Sequence, residues 1–154
     1  MMGSMTQNSE KYWSGEVAQL LRAGDGFVLS GVKLFVLAGD EADLIICPAT
    51  DADGKTSLFV VEAGSAGVSR KRLPTLDITR PLSEVRLERV VVPHANLLGE
   101  PGSANLVLAR VCDFAAIALG VEMLGGIRHV RDLTVDYVKQ RVQFGKPIGS
   151  YQAI

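Results

Sequence analysis

The residues best suited to chemistry lie together near the end of the chain. Arg141 and Lys146 supply two positive charges within a short stretch. Gly145 is typical of a residue that closes a helix, and Pro147 prevents the helix from resuming at once. Ser150 then offers an N-cap for a second helix directly after it. Because a helix N-terminus and a guanidinium both favour phosphate, this corner is a candidate anion site. The alternative is a helix–turn–helix corner whose charges are solvated.

Other potential sites have ordinary explanations. His94 follows a proline in a loop and His129 lies on a helical pattern, so both are interpreted as surface histidines rather than catalysts. Asp51 begins a stretch that resembles a calcium loop, but Lys55 occupies a ligand position, which favours a simple turn. The basic run 70–72 is interpreted as a solvated edge strand. We therefore predict no metal site.

Composition narrows the class of protein. The chain has 154 residues, of which 47% are hydrophobic and 21% charged, as in a globular domain with a sizeable core. A net charge of −1 gives no electrostatic reason to expect nucleic acid or an acidic membrane as a partner. Cys47 and Cys112 lie in apolar patterns and are predicted to be buried, reduced thiols, which suits a cytoplasmic protein. There is no signal peptide pattern and no apolar run of about 20 residues that would span a membrane.

The first two thirds of the chain carry strand and turn signals. Short β-rich runs are joined by Gly, Asp and Pro, which favours an antiparallel barrel or sandwich. We predict an irregular arm over residues 1–14 and a hairpin over 16–31. Five further strands are predicted at 32–37, 42–47, 57–62, 68–73 and 83–92, and Pro48 is expected to end the strand 42–47.

The last third is helical. From Ala104 to Val142 the pattern contains no proline, although Gly125 and Gly126 are expected to weaken the helix. Between residues 111 and 127 apolar side chains cover nearly the whole circumference, and a helix of that kind must be surrounded. We infer that its partners come from other chains or from parts of a longer protein. The fold class predicted is thus α+β: a β-barrel or sandwich, one long helix and a helix–turn corner.

Three stretches resemble the acyl-CoA dehydrogenase family. Residues 141–154, RVQFGKPIGSYQAI, are similar to its signature turn at almost every position. Residues 26–33, GFVLSGVK, resemble the middle-domain pattern aromatic-x-Leu-Asn-Gly-x-Lys. Residues 91–100, VVPHANLLGE, resemble the pattern Val-Pro-x-x-Asn-x-Leu-Gly, where the barrel leads into the C-terminal helices. The likeness covers roughly residues 15–154, and implies an incomplete middle barrel at 15–100 and the start of a C-terminal helical domain at 101–154. The N-terminal helical domain, the segment that begins the barrel and the later C-terminal helices are not represented.

The resemblance implies FAD as cofactor and α,β-dehydrogenation of an acyl-CoA thioester as the parent reaction. In the family this corner reaches across a subunit interface to the neighbour's FAD. Other subunits, and an electron-transfer flavoprotein, are therefore implied partners. Arg141 would meet the pyrophosphate, Phe144 would pack near the adenosine, and Gln152 would hydrogen-bond the cofactor. The remaining implied contacts on the corner and on the barrel are Gln143, Ile148, Tyr151, Phe35 and Leu37.

Two departures affect the expected activity. Leu37 stands where the family commonly has a threonine that meets the flavin ring. Residues 114–116, Phe-Ala-Ala, offer no carboxylate where some members carry the catalytic base, and other members place that base beyond residue 154. We therefore predict no catalytic residue in this chain. The alternatives are a non-catalytic subunit that contributes its corner to a partner's FAD, and an inactive truncated product.

Overall fold

The computed structural model describes residues 18–152. The predicted arm at 1–14 lies outside the described residues. The chain divides into two compact units, residues 1–109 and residues 110–154, which are treated separately below. The two functional domains, with a boundary at residue 101, remain a prediction.

The first unit is built on one seven-stranded sheet in the order β5-β6-β2-β1-β3-β4-β7. Its strands occupy most of the runs in which the sequence alternates apolar and polar residues. They are β1 (Ala18–Ala23), β2 (Gly26–Leu37), β3 (Leu44–Thr50), β4 (Thr56–Glu62), β5 (Val68–Arg72), β6 (Leu82–Pro93) and β7 (Leu97–Leu98).

The predicted hairpin is confirmed over its described part. β1 and β2 pair antiparallel down to Ala23 and Gly26, and Gly24 takes a φ of +57° in the turn. Residues 32–37 were predicted to form a separate strand, but they continue β2. It pairs with β6, and the register shifts twice along this ladder, the second time between Lys33 and Val36. These bulges let one strand bend without a turn.

Two further features of the sheet differ from the prediction. The sheet is mixed rather than antiparallel, because β1 and β3 pair in parallel at Ala18↔Ala49 and Gln19↔Thr50. Pro48 does not close β3, which continues to Thr50. Among residues 18–152, the ladder between β3 and β1 pairs Ala49 and Thr50. Proline is tolerated in a strand where its position donates no ladder hydrogen bond.

The core lies between opposite parts of the curled sheet. Phe27 on β2 and Phe59 on β4 are separated in the strand order by β1 and β3, yet their ring centroids are 4.9 Å apart. The sheet must therefore bend back on itself. The aliphatic side chains that surround this pair are buried, and come from five strands and one loop: Leu20, Leu29, Ile45, Val61, Ala63, Val85, Leu87, Val90 and Val92, with Cys47 among them.

One long helix, α1 (Ala104–Gln140), follows the sheet. Its 37 residues correspond to a length of about 56 Å at a rise of 1.5 Å per residue. The helix begins where predicted, runs through Gly125 and Gly126, and ends two residues earlier than expected. None of the helices in residues 18–152 combines the length and apolar character needed to cross a membrane.

Apolar side chains are exposed around the whole of α1. Phe114 is 73% exposed, Ile117 65% and Leu124 57%, and Ala104 is the one buried residue of the helix. The prediction that Cys112 is buried is wrong for this chain, because that part of the helix is exposed on every side. Cys47, by contrast, is buried as predicted. The exposure of α1 supports the inference that this helix requires partners.

Candidate functional site

After α1 the chain forms a short hairpin, which is the centre of the candidate site. Its strands are β8 (Val142–Gln143) and β9 (Lys146–Pro147). The two turn residues, Phe144 and Gly145, have φ values of 53° and 81°. Positive φ at both central positions is the pattern of a type I′ turn, which matches the twist of a two-residue hairpin. The prediction that Gly145 closes the preceding helix is therefore wrong. It does take the left-handed conformation, but as part of a hairpin.

The second half of the corner also differs from the prediction. A 3₁₀ turn covers Ile148–Ser150, and the hydroxyl of Ser150 donates to the carbonyl of Pro147 at 2.7 Å. Tyr151 is extended, with φ −81° and ψ 137°, so no helix begins there. Ala153, part of the predicted helix, lies outside the described residues. The described part of the corner thus offers no helix N-terminus to an anion.

Positive charge remains as the physical basis for an anion site. Arg141 directly follows the last residue of α1, and its backbone N–H donates to the carbonyl of Tyr137 at 2.8 Å. The negative end of the helix dipole favours a cation at this position. Within residues 18–152 the exposed guanidinium forms no hydrogen bond or ion pair. None of its five N–H donors is taken up by a residue of that range, so they are available to a ligand.

Three interactions hold the corner in shape. The Nζ of Lys146 lies 4.3 Å from the centre of the Tyr151 ring, a cation–π contact. The Tyr151 hydroxyl donates to the carbonyl of Gln143 at 3.0 Å. Half-buried Ile148 donates its N–H to the carbonyl of Arg141 at 2.8 Å, which ties the 3₁₀ turn to the end of the helix. Tyr151 and Ile148 therefore position the corner, whether or not they also contact a ligand.

Gly149 lets the corner fold tightly against α1. A Cβ at this position would lie 3.1 Å from both the carbonyl oxygen and a side-chain methyl of Val138. Any larger residue would move the 3₁₀ turn away from the helix. The glycine thus fixes where Arg141 and the hairpin lie relative to each other.

The hairpin tip and the end of the corner present their side chains to solvent. Phe144 is 95% exposed, and Gln143 and Gln152 are also exposed. An exposed aromatic ring and exposed guanidinium and amide groups on one short segment are the groups that a nucleotide needs, since its base stacks and its phosphates accept hydrogen bonds. The chemistry of these donors therefore fits the adenosine diphosphate part of FAD.

Phe35 and Leu37, the predicted contacts on the sheet, lie at the end of β2 in the first unit. Their side chains are 55% and 63% exposed. Phe35 has a φ of 58° and lies inside the bulge between Lys33 and Val36. The bulge turns these apolar side chains out of the sheet, and nothing in the residue pattern predicted its left-handed conformation.

A cluster of polar residues anchors the loop after β2, and sequence reasoning missed it. Arg70 and Arg72 were interpreted as solvated residues of an edge strand. β5 is indeed an edge strand, but Arg72 donates from Nε to the Asp40 carboxylate at 2.6 Å, and Arg70 donates to carbonyls of the same loop. The hydroxyl of Ser83, which is fully buried, donates to Asp40 at 2.8 Å. The available signal was the run of three positive charges at 70–72 and the acidic Asp40 and Glu41, but pairing over some 30 residues cannot be predicted from local spacing.

This cluster makes a prediction for acid stability. The hydrogen bond from Ser83, followed by that from Arg72, holds the pKa of Asp40 below its ordinary value of 3.8. A carboxylate with a lowered folded-state pKa stabilises the fold above the ordinary value, and the contribution is lost as pH falls through the lowered value. We expect Asp40→Asn to be less stable than the parent at neutral pH, and the difference to shrink at acid pH. Urea unfolding from pH 6 down to about pH 2 measures this. An unchanged difference at every pH would contradict it.

The reactivity of Cys47 depends on its burial and on the charge of Lys33. Burial lowers the pKa of the Lys33 ammonium and raises the pKa of the Cys47 thiol, and each charge partly offsets the effect of the other. Cys47 is therefore a protonated, unreactive thiol, as expected for a core residue.

His94 is exposed and stacks on Phe27 with ring centroids 5.7 Å apart, in agreement with its interpretation as a surface histidine. No group of three or more potential ligands in residues 18–152 is placed to hold a metal ion.

Comparison with known proteins defines the class. Residues 106–154 match the family model of the acyl-CoA dehydrogenase C-terminal domain. Mitochondrial isovaleryl-CoA dehydrogenase from Oryza sativa subsp. japonica is 34% identical over 135 residues, which are 84% of this chain and 33% of that protein. The solved glutaryl-coenzyme A dehydrogenase–glutaryl-CoA complex matches with a TM-score of 0.83 and 29% identity, over 89% of this chain and 36% of that one.

A glutaryl-CoA dehydrogenase from Mycobacterium smegmatis, solved in complex with FADH2, matches with a TM-score of 0.77 and 27% identity, over 91% of this chain and 36% of that one. The fold and the matched segments thus resemble those of known acyl-CoA dehydrogenases. The chain belongs to the acyl-CoA dehydrogenase family, and spans about a third of the length of these relatives.

Proposed function

We propose that this chain is the part of an acyl-CoA dehydrogenase that contacts FAD through the corner at residues 141–152, and that the whole enzyme performs α,β-dehydrogenation of an acyl-CoA thioester. The observation that carries the proposal is the corner itself. It carries an arginine without a partner in the described residues and, three residues on, an exposed aromatic ring, and its own contacts hold the turn in place. When bound, FAD supplies the hydride acceptor for the reaction.

The corner residues take different roles in this proposal. Arg141 binds the pyrophosphate through charge-assisted hydrogen bonds, and Phe144 packs near the adenosine. Gln152 hydrogen-bonds the cofactor, and Gln143 lies on the same exposed surface. These roles rest on the free donors of Arg141 and on the exposure of the other three side chains.

The sheet contributes a second contact in the proposal. Phe35 forms an aromatic wall for the flavin ring, and Leu37 adjoins it. Leu37 has no hydroxyl and cannot donate to the ring, so this contact is apolar. The identity of the acyl group is not part of the proposal, because the matched relatives act on both isovaleryl-CoA and glutaryl-CoA by name.

A flavin titration tests the proposal. FAD is titrated into the purified 154-residue chain, and into a mixture of the chain with the apoprotein of the M. smegmatis relative. Binding is followed by quenching of flavin fluorescence and by the visible absorption band. We expect the mixture to bind more FAD than the relative's apoprotein binds alone at the same concentration, since the corner is proposed to reach a neighbour's FAD. No binding by the chain alone, together with no excess in the mixture over the relative alone, would reject the proposal.

A non-catalytic role is the second candidate. Residues 114–116 of α1 carry no carboxylate at the position where some family members have the catalytic base. Leu37 carries no hydroxyl at the position where the family commonly has a threonine that meets the flavin ring. The chain would then supply Arg141 and Gln152 to the FAD of a partner chain. Turnover of an acyl-CoA by the pure chain with an artificial electron acceptor would exclude this alternative. An electron-transfer flavoprotein remains the proposed physiological acceptor.

We further propose that α1 packs against helices of other subunits. Its exposed apolar side chains motivate this, because exposed contiguous apolar surface drives association. We expect light scattering at micromolar concentration to give a mass above that of the 16.5 kDa monomer. Replacing Leu124 and Ile127 by lysine should lower that mass, whereas lysine at Leu21, an exposed residue of β1, should not. A folded monomer for the parent chain would contradict the proposal.

A further inference from the structure

The backbone around Phe35 is unusual and requires support. Phe35 and Ala38 both have positive φ, 58° and 50°, although neither is glycine. Each such residue costs free energy and persists only when the surrounding structure holds it in place. The side chains of Leu34, Phe35 and Leu37 point to solvent and contribute little to the core. Core packing reaches this segment only through Val36, which is partly buried against the core. The conformation of its neighbours therefore needs further support.

The support comes from the loop that follows. The N–H of Ala38 donates to the carbonyl of Pro81 at 2.8 Å. The N–H of Asp40 donates to the hydroxyl of Ser83 at 3.1 Å, and that hydroxyl donates in return to the Asp40 carboxylate at 2.8 Å. Ser83 is fully buried and has no other role in the proposed function. A buried hydroxyl satisfied at both its donor and its acceptor site specifies one position for the loop.

Arg70 reaches the same loop from the neighbouring edge of the sheet. Its Nη1 lies 2.8 Å from the carbonyl oxygen of Ala42, 3.1 Å from that of Asp40 and 3.4 Å from that of Gly39. One guanidinium nitrogen thus contacts three backbone carbonyls that lie within four consecutive residues of the loop. Arg72 adds its ion pairs with Asp40 and Glu41. Ion pairs this exposed add little stability, which argues against a purely stabilising purpose.

We propose that Arg70 and Ser83 are positioning residues that hold the strained segment 35–38 so that Phe35 and Leu37 face the flavin ring. The inference rests on the proposed function and deepens it, since it adds two residues that do not contact the cofactor. Arg70 acts through the loop carbonyls, and Ser83 acts through Asp40. Both effects reach Phe35 through the three residues that separate it from Gly39.

The experiment compares Arg70→Gln, Arg70→Lys, Ser83→Ala and Phe35→Ala in the full chain. Arg86→Gln is the matched control, because Arg86 is an exposed arginine on the adjacent strand that pairs with Glu84. Hydrogen exchange of the peptide spanning 34–42 reports the position of the segment without any cofactor. FAD titration, in the mixture with the M. smegmatis relative, reports affinity and the shape of the bound flavin absorption band.

We expect Arg70→Gln and Ser83→Ala to accelerate exchange in 34–42 and to weaken FAD binding by about two- to thirtyfold, with the same change in the flavin band as in Phe35→Ala. Arg70→Lys should restore part of the affinity, and Arg86→Gln should resemble the parent. If Phe35→Ala weakens FAD binding and Arg70→Gln and Ser83→Ala do not, the inference is overturned and the proposed function stands. If Phe35→Ala also binds FAD as the parent does, the proposed flavin contact on the sheet fails, and the inference fails with it.

Discussion

Replacing Arg141 by alanine is expected to weaken FAD binding by about one to two powers of ten. The guanidinium is exposed, has no partner among the described residues, and lies at the rigid junction between α1 and the hairpin. A charge-assisted hydrogen bond to phosphate is worth about 1.5–3 kcal/mol, which corresponds to that loss in affinity. Arg141→Lys should recover only part of it, because an ammonium cannot reproduce the planar fork of a guanidinium.

The measurement is an FAD titration of the mixture with the M. smegmatis apoprotein, at matched protein concentration. Arg131→Ala is the control, since Arg131 is an exposed arginine of the same helix and pairs with its neighbour Asp132. Affinity equal to the parent's in Arg141→Ala would show that Arg141 does not bind the cofactor. Mixed oligomers that combine an Arg141→Ala subunit with an intact subunit then test where Arg141 acts. If the intact subunit does not restore FAD affinity at its partner's site, Arg141 binds within its own subunit and the interface proposal is wrong.

Phe59→Ala is expected to destabilise the first unit by about 3–5 kcal/mol. The Phe59 side chain is fully buried and packs on Phe27 across the core, so truncation removes contacts and leaves a cavity that the curled sheet cannot close. Phe144→Ala should change stability by less than about 0.5 kcal/mol, because its side chain is almost fully exposed. Replacement by alanine is thus expected to destabilise strongly at the buried phenylalanine and hardly at all at the exposed one.

Thiol labelling measures the loss of stability of the first unit in Phe59→Ala without interference from the exposed helix. Cys47 is buried in the first unit and reacts only when that unit opens, and Cys112→Ser removes the exposed thiol. The labelling rate of Cys47 in increasing urea therefore reports unfolding of the sheet. A labelling midpoint for Phe59→Ala within error of the parent's would mean that the sheet does not enclose a cooperative core. Phe59→Leu, which fills most of the cavity, should lie between the two.

Local patterns in the sequence determined most of the elements. The Gly24 turn, the alternating strands and the unbroken helical pattern from Ala104 each depend on residues close to one another in the chain, and each was predicted within a few residues. The all-round apolar surface of α1 was also predictable, because a helical period assigns every residue to a face. Family likeness at 141–154 came from the order of residues alone and pointed to the same corner.

Only the tertiary structure decided how distant segments meet. Three features join residues far apart in the chain: the parallel pairing of β1 with β3, the pairing of 32–37 with β6, and the anchoring of Asp40 by Ser83 and Arg72. No local propensity specifies such pairs, since each depends on the free energy of closing a long loop.

The corner illustrates the same limit on a smaller scale. Gly145 suits both a helix end and a type I′ turn, so residue type alone left two structures open. The ladder at Val142↔Pro147 and the packing of Gly149 on Val138 selected the hairpin. The sequence therefore determined which residues could bind an anion, and tertiary contacts decided that Arg141, rather than a helix N-terminus, presents the charge.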